Sequence, residues 1–212
     1  MNEDWLERWQ IGRTGWHEPS GNRNLQRHWT LTGRRVLVPL CGKTPDLLWL
    51  EARGNEVVGV ELSEIAVAAF FEENDLPCER IDGDLVEYRA TDRNIRLFCG
   101  DYFAFEAGPF DAHYDRGALI AMSPELRPRY AEHTSSLLSD DATQFVIAIE
   151  YDHEGSVGPP FSLPGPDLLA LWPGLREHAR IDDTRNAPPK FLEAGLEQLH
   201  EVVWNTDHEA GG

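Results

Sequence analysis

An acidic side chain at the end of a short apolar run can grip a pair of neighbouring hydroxyls, and Glu61 closes the run "EVVGVE" (56–61) in that position. Its two oxygens can both accept from a ribose diol, while their charge repels a 2′-phosphate. Upstream, a second apolar run ends in Pro39-Leu40-Cys41-Gly42-Lys43. Gly42 allows a tight turn and close backbone approach, and the helix expected after Lys43 offers free N–H groups. The turn has no glycine ladder of the kind that makes room for a dinucleotide pyrophosphate. A compact ligand with a carboxylate or ammonium end fits it better. Downstream, "FCGDYF" (98–103) places Asp101 where it can accept from an adenine amino group, with Tyr102 or Phe103 against the ring. "YDRGAL" (114–119) offers the Arg116 guanidinium to a ligand carboxylate or a polarised acceptor.

Each of these residues has a plainer reading. Glu61 can cap the next helix beside Ser63 and Glu64. Asp101 can be an acidic turn residue after Gly100, and Asp115 with Arg116 can be a structural ion pair. Cys41, Cys78 and Cys99 are too few and too scattered for a disulfide framework or a zinc site, and read as reduced thiols of small buried side chains. The eight histidines show no metal-ligand spacing, so no metal is expected.

The elements that would position these residues alternate. The runs 34–40, 56–62, 95–101, 110–116 and 143–151 read as strands. Helical patterns over 44–53, 63–75, 124–138 and 165–172 fall between or after them, with Ser63, Ser123 and Gly165 near their starts. The expected fold is α/β, a doubly wound, mostly parallel sheet with helices on both faces. In such a sheet, ligands bind beyond the carboxyl ends of the strands, where the residues above fall. Residues 1–30 carry Trp5, Trp9, Trp16 and Trp29 and read as an aromatic-rich cover within a single domain over 1–212. "GSVGPPFSLPGP" (155–166) reads as an ordered loop over a site. "ARIDDTR" and "LEQLHEVVW" read as a final strand pair, with "NAPPK" turning between them.

Bulk properties narrow the partners. A chain of 212 residues, 41% apolar, can fill one hydrophobic core. Its net charge of −18 repels a phosphate backbone, which argues against nucleic acid. There is no apolar run long enough to span a membrane, and the acidic, aromatic "MNEDWLERWQ" is unlike a signal peptide. A cytoplasmic monomer acting on a small molecule is the expectation.

Four stretches together resemble the thiopurine S-methyltransferase family of the S-adenosylmethionine-dependent methyltransferases. They are "WLERWQIGRTGWH", "RVLVPLCGKTPDLLWLEARGNEVVGVELSEIAVAAFF", "FDAHYDRGALIAMSPELRPRYAEHTSSLL" and "GPPFSLP", in order along most of the chain. The resemblance implies a seven-stranded Rossmann-like methyltransferase sheet and S-adenosylmethionine as cofactor, with S-adenosylhomocysteine as product. It implies cofactor contacts at Trp5, Leu40, Gly42, Glu61, Asp101, Tyr102 and Arg116. On the acceptor side it implies Trp16, Arg116, Pro159, Pro160 and Phe161, with Arg185 as a second arginine. Trp16 departs from the family's usual Phe, and the larger indole would narrow the acceptor pocket.

The reaction so implied is methyl transfer to the sulfur of a small aromatic or heterocyclic thiol, with Arg116 favouring the thiolate. Alternatives within methyl transfer are halide, thiocyanate, sulfide, or selenium and tellurium species as acceptors. From other classes, an NAD-binding oxidoreductase would also use Glu61, and a non-catalytic α/β binding protein would keep the pocket without turnover.

Overall fold

The computed structural model describes residues 2–152 and 158–206, which divide into two compact units, 1–112 and 113–212. Of the expected loop over 155–166, Gly155, Ser156 and Val157 lie outside the described residues.

In the first unit, α1 (Asn2–Gln10) and α2 (Arg23–His28) precede β1 (Arg35–Pro39), α3 (Asp46–Glu51), β2 (Glu56–Glu61) and α4 (Glu64–Glu73). A hairpin of β3 (Cys78–Ile81) and β4 (Val86–Ala90) then leads to β5 (Ile95–Cys99). The strand order is β3-β4-β5-β2-β1. β1, β2 and β5 are parallel, with Pro39 opposite Val60 and Glu61 opposite Cys99, so their carboxyl ends share one edge. β1 and β2 are nearly continuous apolar runs, as a parallel strand covered on both faces requires, and Val36, Leu37, Val57, Val58 and Val60 are fully buried. Gly59 has no side chain because one would collide with Leu97 and with Cys41 Sγ, at 2.6 and 2.7 Å.

β6 (Phe110–Arg116) carries the chain into the second unit, where α5 (Arg127–Ser136), β7 (Leu138–Tyr151), α6 (Gly165–Leu171), β8 (Arg176–Asp182), α7 (Pro189–Glu193) and β9 (Leu199–Asn205) follow. The order there is β6-β7-β9-β8, and β9 pairs antiparallel with both β7 and β8.

The α/β class is as expected, but the described residues hold nine strands rather than seven, and antiparallel pairs flank the parallel core. A parallel crossover needs about a dozen residues, usually a helix. Between α4 and β5 the chain has only turn-forming "DGDL" and "TDRN" around short charged runs, so it returns as a hairpin. That hairpin escapes a pattern search because Cys78, Glu79 and Arg80 are all exposed and show no alternation. "NAPPK" is not simply a turn: Pro188 and Pro189 start α7, where a fixed φ and a missing N–H suit the first helical position. The helix expected over 124–138 is shorter, and Leu138 already begins β7.

Candidate functional site

The turn after β1 is built from backbone. Leu40 (φ 46°) and Gly42 (φ 56°) both take the left-handed conformation, which costs Leu40 energy and Gly42 little. The Cys41 amide donates to Val60 O at 3.1 Å, so the turn stays in register with β2. The Gly42 amide donates to Glu61 Oε2 at 2.8 Å, and the Ser63 amide to Oε1 at 2.8 Å. Glu61 therefore ties the turn after β1 to the start of α4, where Ser63 caps Ala66. Burial pushes the Glu61 carboxyl up, against the opposing pull of the Ser63, Gly42 and Leu62 amides. Each oxygen accepts one N–H and keeps a second lone pair, so its capping role and a diol contact are compatible.

On the same edge, Gly100 N donates to Glu61 O, and Asp101 Oδ1 accepts from Phe103 N at 3.0 Å, capping a 3-10 turn over Tyr102–Ala104. Asp101 is exposed, Tyr102 buried and Phe103 half-buried. Leu40, Gly42, Glu61, Asp101 and Tyr102 thus lie along the carboxyl edge of β1, β2 and β5.

The aromatic cover is ordered by its own packing. Trp16 meets Trp5 and Trp9 edge-on, with centroids 5.1 and 5.8 Å away, and the Arg8 guanidinium sits 4.8 Å from the Trp5 ring. A Cβ on Gly42 would lie 3.4 Å from the Trp9 ring, so α1 packs directly over the turn. The polar run after Trp16 is fixed by Asp46: its buried carboxylate accepts from Asn22 N at 2.7 Å. Asn22 in turn caps α2 by accepting from Asn24 N and Leu25 N. Sequence reading passed over Asp46. Its position in the first turn of the helix after the glycine turn was the available signal.

In the second unit, Arg116 is the last residue of β6 and half-buried. Asp115 turns inward, accepting from Tyr130 Oη at 2.7 Å and from Leu119 N at 3.1 Å. It organises the turn that follows Arg116. Burial raises the Asp115 carboxyl to about 6 despite those bonds, and the same burial holds His113 down to about 3. Neither His113 nitrogen has a hydrogen-bond partner among the described residues, and its Nε2 is 3.9 Å from Asp115 Oδ2. Pro159, Pro160 and Phe161 are half-buried, and Phe161 N donates to Ile120 O at 2.7 Å. Arg185 is exposed and lines a hollow of about 620 Å³ with Asp182, Thr184, Glu197 and Gln198.

The thiols do not suit a nucleophile. Burial raises Cys41 well above its ordinary value and Cys99 to about 11, and Glu61 adds to both.

The comparisons fit this arrangement. A structure of a Burkholderia thailandensis 1,6-didemethyltoxoflavin-N1-methyltransferase, with its substrate and S-adenosylhomocysteine bound, aligns at a TM-score of 0.65, 18% identity, over 97% of this chain and 87% of that one. An arsenic(III) S-adenosylmethionine methyltransferase from Chlamydomonas reinhardtii aligns at 0.59, 13% identity, over 90% and 71%. These likenesses show the fold of an α/β methyltransferase. The thiopurine S-methyltransferase family model matches residues 1–209. Proteins named thiopurine S-methyltransferase are 42% identical in Bordetella petrii, over 98% of both chains, and 38% in Pseudomonas syringae pv. syringae, over 97% of both. The chain belongs to the thiopurine S-methyltransferase family and is an S-adenosylmethionine-dependent methyltransferase. The NAD-oxidoreductase alternative lapses with that membership.

The residues present suit the cofactor. Glu61 has accepting capacity left for a diol, the Leu40–Gly42 turn brings backbone rather than side chains to the ligand, and no group of His, Cys, Asp and Glu among the described residues is arranged to hold a metal.

Proposed function

We propose that this protein transfers a methyl group to the sulfur of a small aromatic or heterocyclic thiol. The observation that carries the reading is the Glu61-braced turn after β1, joined to family membership over nearly the whole chain. When bound, S-adenosylmethionine supplies a methyl carbon made electrophilic by its sulfonium. Glu61 accepts from the ribose hydroxyls, and the Leu40–Gly42 turn receives the methionine end. Asp101 and Tyr102 flank the adenine, and Trp5 shields the cofactor.

On the acceptor side, Arg116 holds the thiolate and lowers the thiol's pKa by proximity of positive charge, so the proton is lost to solvent before transfer. The guanidinium also contacts the methionine end. No general base is needed, because a thiolate is already a strong nucleophile. What remains for the protein is alignment of the reacting atoms and exclusion of water. Pro159, Pro160 and Phe161 form an apolar wall suited to a flat acceptor. Trp16 narrows the space relative to a Phe, and Arg185 adds a distant positive charge.

The test is calorimetric titration with S-adenosylmethionine and S-adenosylhomocysteine, with NADH alongside, on wild type and Glu61→Ala. A panel of thiophenols, thiopurines, sulfide and iodide then follows as acceptors. Binding of the first two ligands, weakened by the substitution, with turnover of aromatic thiols above the other acceptors, is the expected result. Turnover confined to sulfide or iodide would replace the acceptor class. Binding without any turnover would favour the non-catalytic reading.

A further inference from the structure

The segment from Pro159 to Ser162 has no regular secondary structure, yet each of its four carbonyls is held by a side chain. Lys190 Nζ donates to Pro159 O, and Tyr151 Oη donates to Pro160 O at 2.9 Å. Arg127 Nη2 reaches both Phe161 O, at 3.4 Å, and Ser162 O, at 3.1 Å. The three donors come from α7, β7 and α5, separate elements of the second unit. The Ser162 hydroxyl also exchanges bonds with the Tyr151 backbone, accepting from its N at 3.0 Å and donating to its O at 2.9 Å.

Arg127 is the unusual member. It is 5% exposed, and its Nε finds no hydrogen-bond partner among the described residues. Burying a guanidinium is costly. Here one of its nitrogens, Nη2, reaches from α5 to two consecutive carbonyls. The Phe161 ring folds back so closely that a Cβ on Gly158 would stand 2.2 Å from its Cδ1. The position of that ring is therefore set by the loop backbone and by the lack of a side chain at Gly158.

We propose that Arg127 and Tyr151 are positioning residues that set acceptor choice, by holding the Pro160–Ser162 carbonyls and thereby the Phe161 ring in one conformation. The inference rests on the thiol-transfer reading, in which Phe161 lines the acceptor. Neither residue touches the reacting atoms. They act by keeping the wall rigid, so that the acceptor meets a preformed surface rather than one it must order.

The test compares wild type with Arg127→Lys, which keeps a charge but replaces the long planar guanidinium with a shorter ammonium, and Tyr151→Phe, which removes one bond and nearly no volume. The readouts are acceptor KM and kcat over a series of thiophenols of increasing size, the affinity for S-adenosylhomocysteine, thermal stability, and hydrogen exchange at the Phe161 amide. The acceptor KM should rise about tenfold in Arg127→Lys and about threefold in Tyr151→Phe, with kcat and product affinity within about twofold of wild type. Discrimination among thiophenol sizes should shrink, and the Phe161 amide should exchange faster.

A folded Arg127→Lys protein with unchanged acceptor KM, unchanged size discrimination and unchanged Phe161 exchange overturns the proposal. So does a parallel loss of product affinity, which would mark a general structural defect. Gly158→Ala is the complementary variant, since it displaces the Phe161 ring and leaves the clamp side chains in place. It should alter size discrimination at least as much as Arg127→Lys. If wild type binds S-adenosylhomocysteine but turns over no thiol, the thiol reading fails along with the acceptor role. Exchange at Phe161 then decides the clamp by itself.

Discussion

The turn after β1 and the loop before α6 solve the same problem, a fixed irregular backbone, by different means. In the first, Pro39–Gly42 extends a parallel strand, and a single buried carboxylate from the neighbouring strand holds it through the Gly42 amide while its other oxygen holds the Ser63 amide at the start of α4. In the second, Pro159–Ser162 continues no strand, and side chains from three scattered elements hold its carbonyls. Amides that brace a turn from within regular structure make a site with few ways to vary, which suits a cofactor that never changes. A loop held by separate side chains can be reshaped one anchor at a time, which suits an acceptor that differs among relatives.

The sharpest test of this contrast is Glu61→Ala. It leaves the Gly42 and Ser63 amides without their acceptor and removes the proposed ribose contact. S-adenosylhomocysteine affinity should fall about a hundredfold or more, with a stability loss of about 2 kcal/mol from two stranded buried donors. Titration and denaturant melts read both quantities. Affinity within a few-fold of wild type would show that the turn does not depend on its carboxylate. Arg116→Ala should act mainly on the acceptor side, lowering acceptor kcat/KM about thirtyfold to a hundredfold, with a smaller, roughly threefold to tenfold loss of product affinity from the methionine-end contact and a melting temperature nearly unchanged. Unchanged kinetics would remove Arg116 from the reaction.

The turn after β6 can be probed by pH. Asp115 holds its proton up to about 6 in the fold against an ordinary 3.8, so its contribution favours the fold at low pH and is lost as pH rises between those values. His113 does the reverse: kept neutral down to about 3 against an ordinary 6.5, it penalises the fold as pH falls below 6.5. The two slopes oppose each other from about pH 4 to 6. The net contribution of the pair should be nearly level there. Asp115→Asn should become more stable as pH rises through that window, and His113→Leu less stable, each by about 2 kcal/mol. Slopes of the same sign in both variants would show that the pair is not what titrates.

Smaller effects are expected at the edges of the acceptor side. Trp16→Phe should widen the range of thiols turned over, shifting the preference for bulkier ones about threefold to fivefold, with little change for the smallest. It also loosens the edge contacts to Trp5 and Trp9, so product affinity should be measured in parallel. Arg185, exposed between Asp182 and Glu197, acts through solvent, and Arg185→Ala should raise acceptor KM about twofold, less at high salt.

The parallel core was legible because its physics is local and periodic. Its strands β1, β2 and β5 fall within the runs marked by β-branched and aromatic residues, as does β6 of the wider sheet, and Ser63 caps α4 as its type suggests. The residues after these strands stand out for the same reason, since a strand end exposes the next few side chains to whatever binds there. The β3–β4 hairpin was not legible, because exposed edge strands need no apolar alternation. Nor were Asp46, Arg127 and Tyr151, which act on backbone groups 24, 34 or 35, and 9 residues away, respectively.

Composition, strand periodicity and the turn residues determined the α/β class and the edge on which Leu40, Gly42, Glu61, Asp101 and Tyr102 gather. Those features depend on neighbours within a few residues, or on strands whose pairing follows from their apolar pattern. Tertiary structure alone decided that Glu61 braces the turn it faces, that Asp115 and His113 are buried side by side with opposed titrations, and that a buried arginine holds the carbonyls beside Phe161. Each of these depends on which polar atoms the fold withdraws from water together. That is set by packing between distant segments rather than by any residue's own propensity.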